Sequence, residues 1–286
     1  LYTGATVNGW TAYQQLFMGD NGENGASVEA VFPVLQDGKR TAAYGGTVFL
    51  INACYDKTAT VNSNGTAGCN LYENANWAGV RARKDLIDKF FPNNNAPSVT
   101  GAVMPHEAGD DRALFDGVGR TITQNTSADL SVFTKGFAVV KYNNFYSTGA
   151  SAKDLRYADT DFFMFRVAEA YLTYAEATAR LNGDQTTTEG TDLINKLHIR
   201  AHAAPRTTGA YTLNDILNEW CKEFYFEGRR RVDLIRFNKF GGNVNYNWAW
   251  KGGERNGRNF AAIRNVFAIP NSDMIVNHNL KQNPGY

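Results

Sequence analysis

Three glutamates spaced four residues apart are the first side chains in this sequence that could do chemistry: Glu219, Glu223 and Glu227. Two carboxyl groups facing each other across a cleft can act as the acid and the base of a glycosidase. On one face of a helix, however, such a column repels itself and needs neighbouring cations. The candidate cations are Arg229, Arg230 and Arg231, with Arg166 and Arg200. Because each acid has an arginine to keep it ionised, we interpret the column as a structural network and not as a catalytic pair.

The histidines do not suggest a metal centre. His106 stands beside Glu107, and His198 lies near His202. No pair has the HExxH spacing, and no cysteine or carboxylate completes a tetrahedral set, so no metal site is predicted. GxSxG, Walker and Rossmann motifs are also missing from the sequence. We therefore predict no cofactor and no catalytic residues, while the Asp- and Asn-rich loops, which lack an EF-hand pattern, leave calcium open.

Aromatic residues beside amides offer a different chemistry, the binding of sugars. A flat ring covers the apolar face of a sugar while neighbouring amides bond its hydroxyl groups. Such a cluster surrounds Trp77 and comprises Asn74, Asn76, Tyr55 and Tyr72. Trp248 and Trp250 form a second cluster. The alternatives are that Trp77 packs into the core and that the second pair packs against the carboxy-terminal helices.

Charge and cysteine content set limits on the partners and on the compartment. The chain of 286 residues carries 29 Lys plus Arg against 28 Asp plus Glu, a formal charge of +1, which gives no reason to expect a nucleic-acid partner. No run approaches the roughly 20 apolar residues of a membrane-spanning helix. Cys54 and Cys69 lie in one Gly-, Asn- and Thr-rich loop and are candidates for a disulfide, the alternative being two free buried thiols.

Local patterns divide the chain into a loop-rich part over residues 1–160, a helical part over 161–240 and a carboxy-terminal segment over 241–286. In the first part we predict a helix over 80–91, stopped by Pro92, and short strands such as 137–142. Apolar residues at three- and four-residue steps predict a helix from about Asp161 to Gly183. A second helix carries Leu193 and Leu197, and a third begins at Thr212.

The helical part has small residues where two helices would cross, which is typical of tetratricopeptide-like pairs. We predict two helix pairs of this kind, and such pairs need stacked neighbours to bury their apolar faces. The aromatics Tyr246, Trp248 and Trp250 alternate at strand spacing within a Gly- and Asn-rich stretch, which predicts a loop or a short hairpin.

Two dense sequence blocks resemble the SusD/RagB family. The first runs from Arg166 through Glu169 and over 171–177, and is followed by Asn195 and Arg200; the second covers 223–236 and contains Glu-Gly-x-Arg and Asp-Leu-x-Arg. The end of the chain, 267–286, also resembles the end of the family's members. Departures are His198 and Trp220, which stand where the family usually has arginine, and they put local salt bridges in doubt.

The resemblance implies a mainly α fold, in which tetratricopeptide-like helix pairs support a large irregular loop region with short strands, a SusD-like α superhelix. Within it, the family blocks imply a structural network of Arg166, Glu169, Asn195, Arg200, Glu223, Glu227, Arg229 and Asp233. The whole chain, 1–286, would be a single carboxy-terminal region of the family, without the family's amino-terminal helical part.

The resemblance also implies a function in nutrient uptake without catalysis. Members of the family bind glycans, or peptides in RagB-like proteins, at the outer face of the outer membrane. A lipid anchor, expected in the amino-terminal part that is not present in this chain, holds them there, and they deliver the ligand to a TonB-dependent SusC-like transporter. A carbohydrate-active enzyme and a pure interaction scaffold are the remaining alternatives.

Overall fold

The computed structural model describes residues 1–61, 68–71 and 77–286. It is mainly helical with a few short strands, which confirms the predicted fold class. The chain forms two compact units, Leu1–Glu227 and Gly228–Tyr286. This boundary differs from the changes in local pattern at 160/161 and 240/241, so the division of the chain read from its sequence stays a prediction.

Three helices form the regular part of the first unit. They are α5 (Val167–Leu181), α6 (Thr188–Arg200) and α7 (Leu213–Phe224). α5 packs against both of the others. Gly190 lets α5 and α6 approach closely, because a Cβ atom there would lie 3.3 Å from Ala175 Cα. Thr212 and Asp215 form the capping box that starts α7, as predicted.

Shorter helices lie within the loop-rich part of the chain that precedes α5. They are α1 (Ala12–Gln15), α2 (Gly46–Asn52), α3 (Lys84–Ile87) and α4 (Met104–Ala108). Their apolar side chains join one buried core with the strand residues of the same unit. Single 3₁₀ turns occur at Ala26–Glu29, Pro92–Asn94 and Ala128–Ser131. The irregular region is therefore held by a packed interior and not by regular secondary structure.

Two antiparallel two-stranded sheets complete the first unit. One pairs β1 (Ala30–Val34) with β4 (Phe162–Arg166), and the other pairs β2 (Phe115–Asp116) with β3 (Ala138–Val139). β3 confirms a strand within the segment predicted over 137–142. β4 corrects the helix predicted from Asp161, since residues rich in phenylalanine pair with β1 and the helix begins only at Val167.

One other local prediction was wrong. Only Lys84–Ile87 of the helix expected over 80–91 is α-helical. The start of the expected helix is instead a loop, because the backbone amides of Gly79 and Val80 donate hydrogen bonds to the carbonyl of Ala53. The aromatics at 246–250 lie in a loop, one of the two alternatives predicted there, and Trp250 has a left-handed backbone with a φ of 66°.

The second unit is irregular. It contains α8 (Arg230–Arg236), α9 (Asn271–Val276) and 3₁₀ turns at Lys251–Gly253 and Ala262–Asn265. Of the expected helix pairs, α5 with α6 lies in the first unit. Within the described part of the chain, no helix has the length and apolar character needed to cross a bilayer.

Candidate functional site

The glutamate column is the centre of a buried ion cluster. Arg166 donates from Nε to Glu227 at 2.8 Å and from Nη1 to Glu223 at 2.6 Å and to Glu29 at 2.9 Å. Arg200 donates to the other oxygen of Glu29 at 3.0 Å and also to Glu223. These five side chains are buried. The structure thus brings together Arg166, Arg200, Glu223 and Glu227 of the predicted network and adds Glu29.

Two further cations that the sequence did not indicate complete the cluster. Arg112 donates from Nη1 to Glu219 at 3.0 Å, and Lys141 donates from Nζ to Glu227 at 2.6 Å. Lys141 also lies 4.4 Å from the ring centroids of Phe17 and Tyr225. Both cations come from outside the helical part of the chain, so helix periodicity gave no sign of them.

The geometry of the column differs from the predicted one. α7 ends at Phe224, so Glu227 lies past the end of the helix and does not continue the column along one face. A left-handed backbone at Phe226, with a φ of 61°, turns the chain there. Glu227 can therefore reach Arg166 and Lys141 together.

The cations keep the carboxyl groups ionised. Burial by itself would raise the pKa of Glu219, but Arg112 and His198 lower it to about 2. Burial is likewise outweighed at Glu223, where Arg200, Arg166 and Arg112 hold the pKa far below its usual value. An acid that remains ionised cannot donate a proton near neutral pH. The column is therefore arranged as a structural ion cluster, which supports the interpretation made from the sequence.

The remaining members of the predicted network lie elsewhere. Asn195 holds the loop after α6 through two bonds to the backbone of Arg206, both 2.9 Å, and Glu169 is half-buried in the first turn of α5. Arg229 and Asp233 belong to the second unit, where their side chains are 3.7 Å apart. The two other arginines considered for the column also bond within that unit, Arg230 to Tyr246 and Arg231 to the carbonyl of Arg264.

Trp77 is held against the end of α2 by backbone hydrogen bonds. Its amide donates to the carbonyl of Asn52 at 2.8 Å, and the amides of Gly79 and Val80 donate to the carbonyl of Ala53 at 3.0 and 2.7 Å. Carbonyls at the end of a helix lack partners inside the helix, so these bonds satisfy them. The backbone of Trp77 is thus fixed on a rigid element.

The Trp77 side chain is 41% exposed and does not pack into the core. Its ring lies 6.0 Å from that of Phe49, which is 48% exposed, at an interplanar angle of 58°. Phe49 projects from α2 on the side opposite to the buried Val48 and Ile51. Two aromatic rings therefore face solvent together, where they can cover the apolar face of a ligand.

A second aromatic pair lies close in sequence to α2. Tyr44, which is 46% exposed, lies 5.3 Å from the ring of Tyr157. Sequence patterns do not point to Tyr44, Tyr157 or Phe49. Phe49 could have been found if the run over 46–53 had been treated as an amphipathic helix with one aromatic residue on its polar face. Tyr44 precedes two glycines and follows no periodic pattern.

The other predicted binding residues have different environments. Tyr55 is fully buried in the core, which corrects its assignment to a ligand surface. Tyr72, Asn74 and Asn76 lie outside the described residues. In the second unit, Trp248 and Trp250 are half-buried, and Trp248 packs near Phe240 with Lys251 Nζ 4.7 Å from its ring centroid.

Of the two alternatives for Cys54 and Cys69, the structure has the free thiols and not the disulfide. Cys54 and Cys69 are free and buried, as is Cys221. Burial raises the pKa of Cys54 and raises that of Cys69 to about 12. Both thiols are therefore protonated near neutral pH and pack as small apolar side chains.

Comparison with known proteins identifies the family. The model of the SusD family matches residues 115–286, and the chain belongs to this family. It is 38% identical over 305 aligned positions to the starch-binding protein SusD of Bacteroides thetaiotaomicron, an alignment that covers 96% of this chain and 52% of that protein.

Solved structures share the fold at lower identity. A SusD superfamily protein from Bacteroides vulgatus superposes with a TM-score of 0.60 at 20% identity, covering 96% of this chain and 49% of that one. Surface glycan-binding protein A from Bacteroides thetaiotaomicron, in complex with laminarihexaose, gives 0.51 at 19% identity, covering 90% and 52%. The chain thus spans about half the length of these relatives.

Proposed function

We propose that this protein binds glycans through the exposed aromatic rings of Phe49, Trp77 and Tyr44. The observation that carries the proposal is the Phe49 and Trp77 pair. Phe49 belongs to α2, the backbone of Trp77 bonds to the end of that helix, and both rings face solvent. Aromatic rings held in place in the free protein bind with little loss of conformational entropy. The names of two relatives, a starch-binding protein and a glycan-binding protein with bound laminarihexaose, support this ligand class.

In this proposal the protein is a binding protein without a catalytic step. The carboxylates of the ion cluster around Glu223 are buried and paired with arginines. A glycosidase instead needs two carboxyl groups facing an open cleft, one of them protonated.

We further propose that the protein acts at the outer face of the outer membrane, anchored there by lipid, and passes its glycan to a TonB-dependent SusC-like transporter. Membership of the family supports this role. Co-purification of the full-length protein with such a transporter from detergent-solubilised outer membranes is the expected result. A full-length protein that fractionates away from the membrane would contradict the proposed location.

The test of glycan binding is calorimetry with maltoheptaose, laminarihexaose and a mixture of peptides, using the wild-type chain and Trp77→Ala. Removing a ring that carries much of a binding contact should weaken affinity for one of the glycans by about 1–3 kcal/mol. Phe267→Ala, which removes an exposed ring in the second unit, is the matched control and should bind as wild type.

Release of reducing sugar is followed in the same samples. Turnover would show that the protein is an enzyme. Binding of peptides alone would move the ligand class to the RagB-like alternative, and glycan binding that ignores Trp77 would place the site elsewhere.

A further inference from the structure

A cavity of about 320 Å³ lies in the first unit, and the residues that line it do not include Phe49, Trp77 or Tyr44, which form the aromatic surface proposed above. Three stretches distant in sequence supply most of its lining: residues 9–14, residues 102–111, which include α4, and His202 just after α6. Its volume lies at the lower end of the roughly 300–1,000 Å³ typical of pockets for small ligands. It can therefore hold a small molecule but not a long chain.

Two neighbouring aspartates line the cavity and differ in their partners. Asp110 accepts hydrogen bonds from Arg112 at both carboxylate oxygens, each at 2.8 Å, so its carboxylate is already paired with a guanidinium. Asp111 instead faces an imidazole, with its Oδ2 2.7 Å from His202 Nδ1. Burial raises the pKa of Asp111, while His202 and Thr11 oppose the rise. Asp111 is thus the carboxylate that a ligand in the cavity could engage.

His202 has an unusual backbone for its residue type. It follows the C-cap of α6, Ala201, with a φ of 49°, at a position where helices usually place glycine or asparagine. A side chain with a Cβ atom is disfavoured in this left-handed region. The hydrogen bond between His202 Nδ1 and Asp111 offsets the conformational free energy of this backbone. It also holds the imidazole at the cavity. Such strained residues occur preferentially at ligand sites.

The wall beside these polar groups is apolar. Trp10 contributes an indole, supported by Phe145 with ring centroids 6.0 Å apart, and Pro105 contributes from α4. A carboxylate accepts hydrogen bonds, an imidazole can accept or donate them, and the ring and proline cover apolar atoms. Within the described residues no group of three or more His, Cys, Asp or Glu side chains could hold a metal ion. The combination matches a compact polyhydroxylated ring.

We propose that this cavity is a second binding site, which takes a single pyranose unit through the carboxylate of Asp111 and the imidazole of His202. Adjacent hydroxyl groups of the sugar bond to the two side chains, and its apolar face lies on Trp10 and Pro105. This inference rests on the proposed glycan function for its ligand class, but it uses different residues.

The test is a titration of the full chain with D-glucose, D-galactose, D-mannose and maltose. The imidazole resonances are recorded at each step in long-range ¹H–¹⁵N spectra. One imidazole, identified as His202 by its loss in His202→Gly, should shift and saturate with at least one of these sugars. Glycine suits the left-handed backbone, so this variant should remain folded. Its sugar affinity, measured by calorimetry, should fall about tenfold or more, and so should that of Asp111→Asn, because each loses a bond to the ligand.

His278→Asn, which changes an exposed histidine in the second unit, is the control and should titrate as wild type. Trp77→Ala should bind maltoheptaose or laminarihexaose more weakly but keep the His202 shift, so the two sites can fail separately. The cavity proposal is overturned if no sugar shifts the His202 resonance, or if monosaccharide affinity is the same in His202→Gly and Asp111→Asn as in wild type.

Discussion

The ion cluster around Glu223 consists of charged residues in the interior, whereas the aromatic surface around Trp77 consists of large rings that face solvent. Charged groups, which sequence reasoning first examines for chemistry, are buried and paired in the cluster. Large aromatic rings, which usually fill cores, face solvent at Trp77, Phe49 and Tyr44. Residue type alone therefore does not indicate which region is functional. Burial and pairing separate a structural group of charges from a surface that is open to a ligand.

If the cluster is structural, removing one acid should damage the fold more than any change at the aromatic surface. Glu223→Ala leaves Arg166 and Arg200 buried without one of their partners, and breaking a buried ion pair in this way costs about 3–5 kcal/mol of unfolding free energy. Urea denaturation measures this loss. Glu254→Ala, at an exposed glutamate, is the control and should change stability little. A stable Glu223→Ala protein that fails to bind glycan would show that the cluster serves binding and not stability.

The cluster also predicts a response to acid. Arg112 and His198 outweigh burial and lower the pKa of Glu219 from 4.5 to about 2. The stabilisation is therefore fully present above pH 4.5 and is lost as the pH falls from 4.5 towards 2, an effect of roughly 3 kcal/mol. Unfolding free energy measured across this range should decrease with falling pH. In Glu219→Gln the decrease should be smaller, and an unchanged slope would contradict the assignment.

At the aromatic surface, the expected changes concern affinity. Phe49→Ala and Tyr44→Ala each remove one exposed ring and should weaken glycan binding by about 1 kcal/mol. Their unfolding free energies should stay within about 0.5 kcal/mol of wild type, because surface substitutions rarely cost more. Calorimetry and urea denaturation on the same samples separate the two effects. A loss of stability with unchanged affinity would show that these rings serve packing.

The smallest effect is expected from a reductant. Cys54 and Cys69 are free in the structure, so dithiothreitol should leave the melting temperature unchanged. Burial also raises the pKa of the Cys69 thiol to about 12, and native protein should react slowly with iodoacetamide at pH 8. A clear fall in melting temperature on reduction would restore the disulfide suggested by the sequence.

The sequence predicted local features well where a residue's neighbours in the chain determine them. The capping box of Thr212 and Asp215 and the apolar face of α7 are examples. It failed where a distant segment decides the structure, as at Phe162–Arg166, which becomes a strand because β1 lies beside it. Lys141 and Glu29 join the ion cluster for the same reason. At the candidate site, Trp77 was identified from its type, whereas Phe49 required knowledge of which face of α2 is buried.

The pairing of β1 with β4 has a consequence for the order of folding. Arg166 bonds to Glu29 across 137 residues of chain, and strand residues beside them pair over similar separations. Contacts this distant form late, since a long loop must close before they contribute stability. The α5 and α6 hairpin, whose contacts are local, can form earlier. During synthesis, β1 and Glu29 have to remain without these partners until β4 has emerged, so their unpaired strand edge and buried charge are exposed in the growing chain.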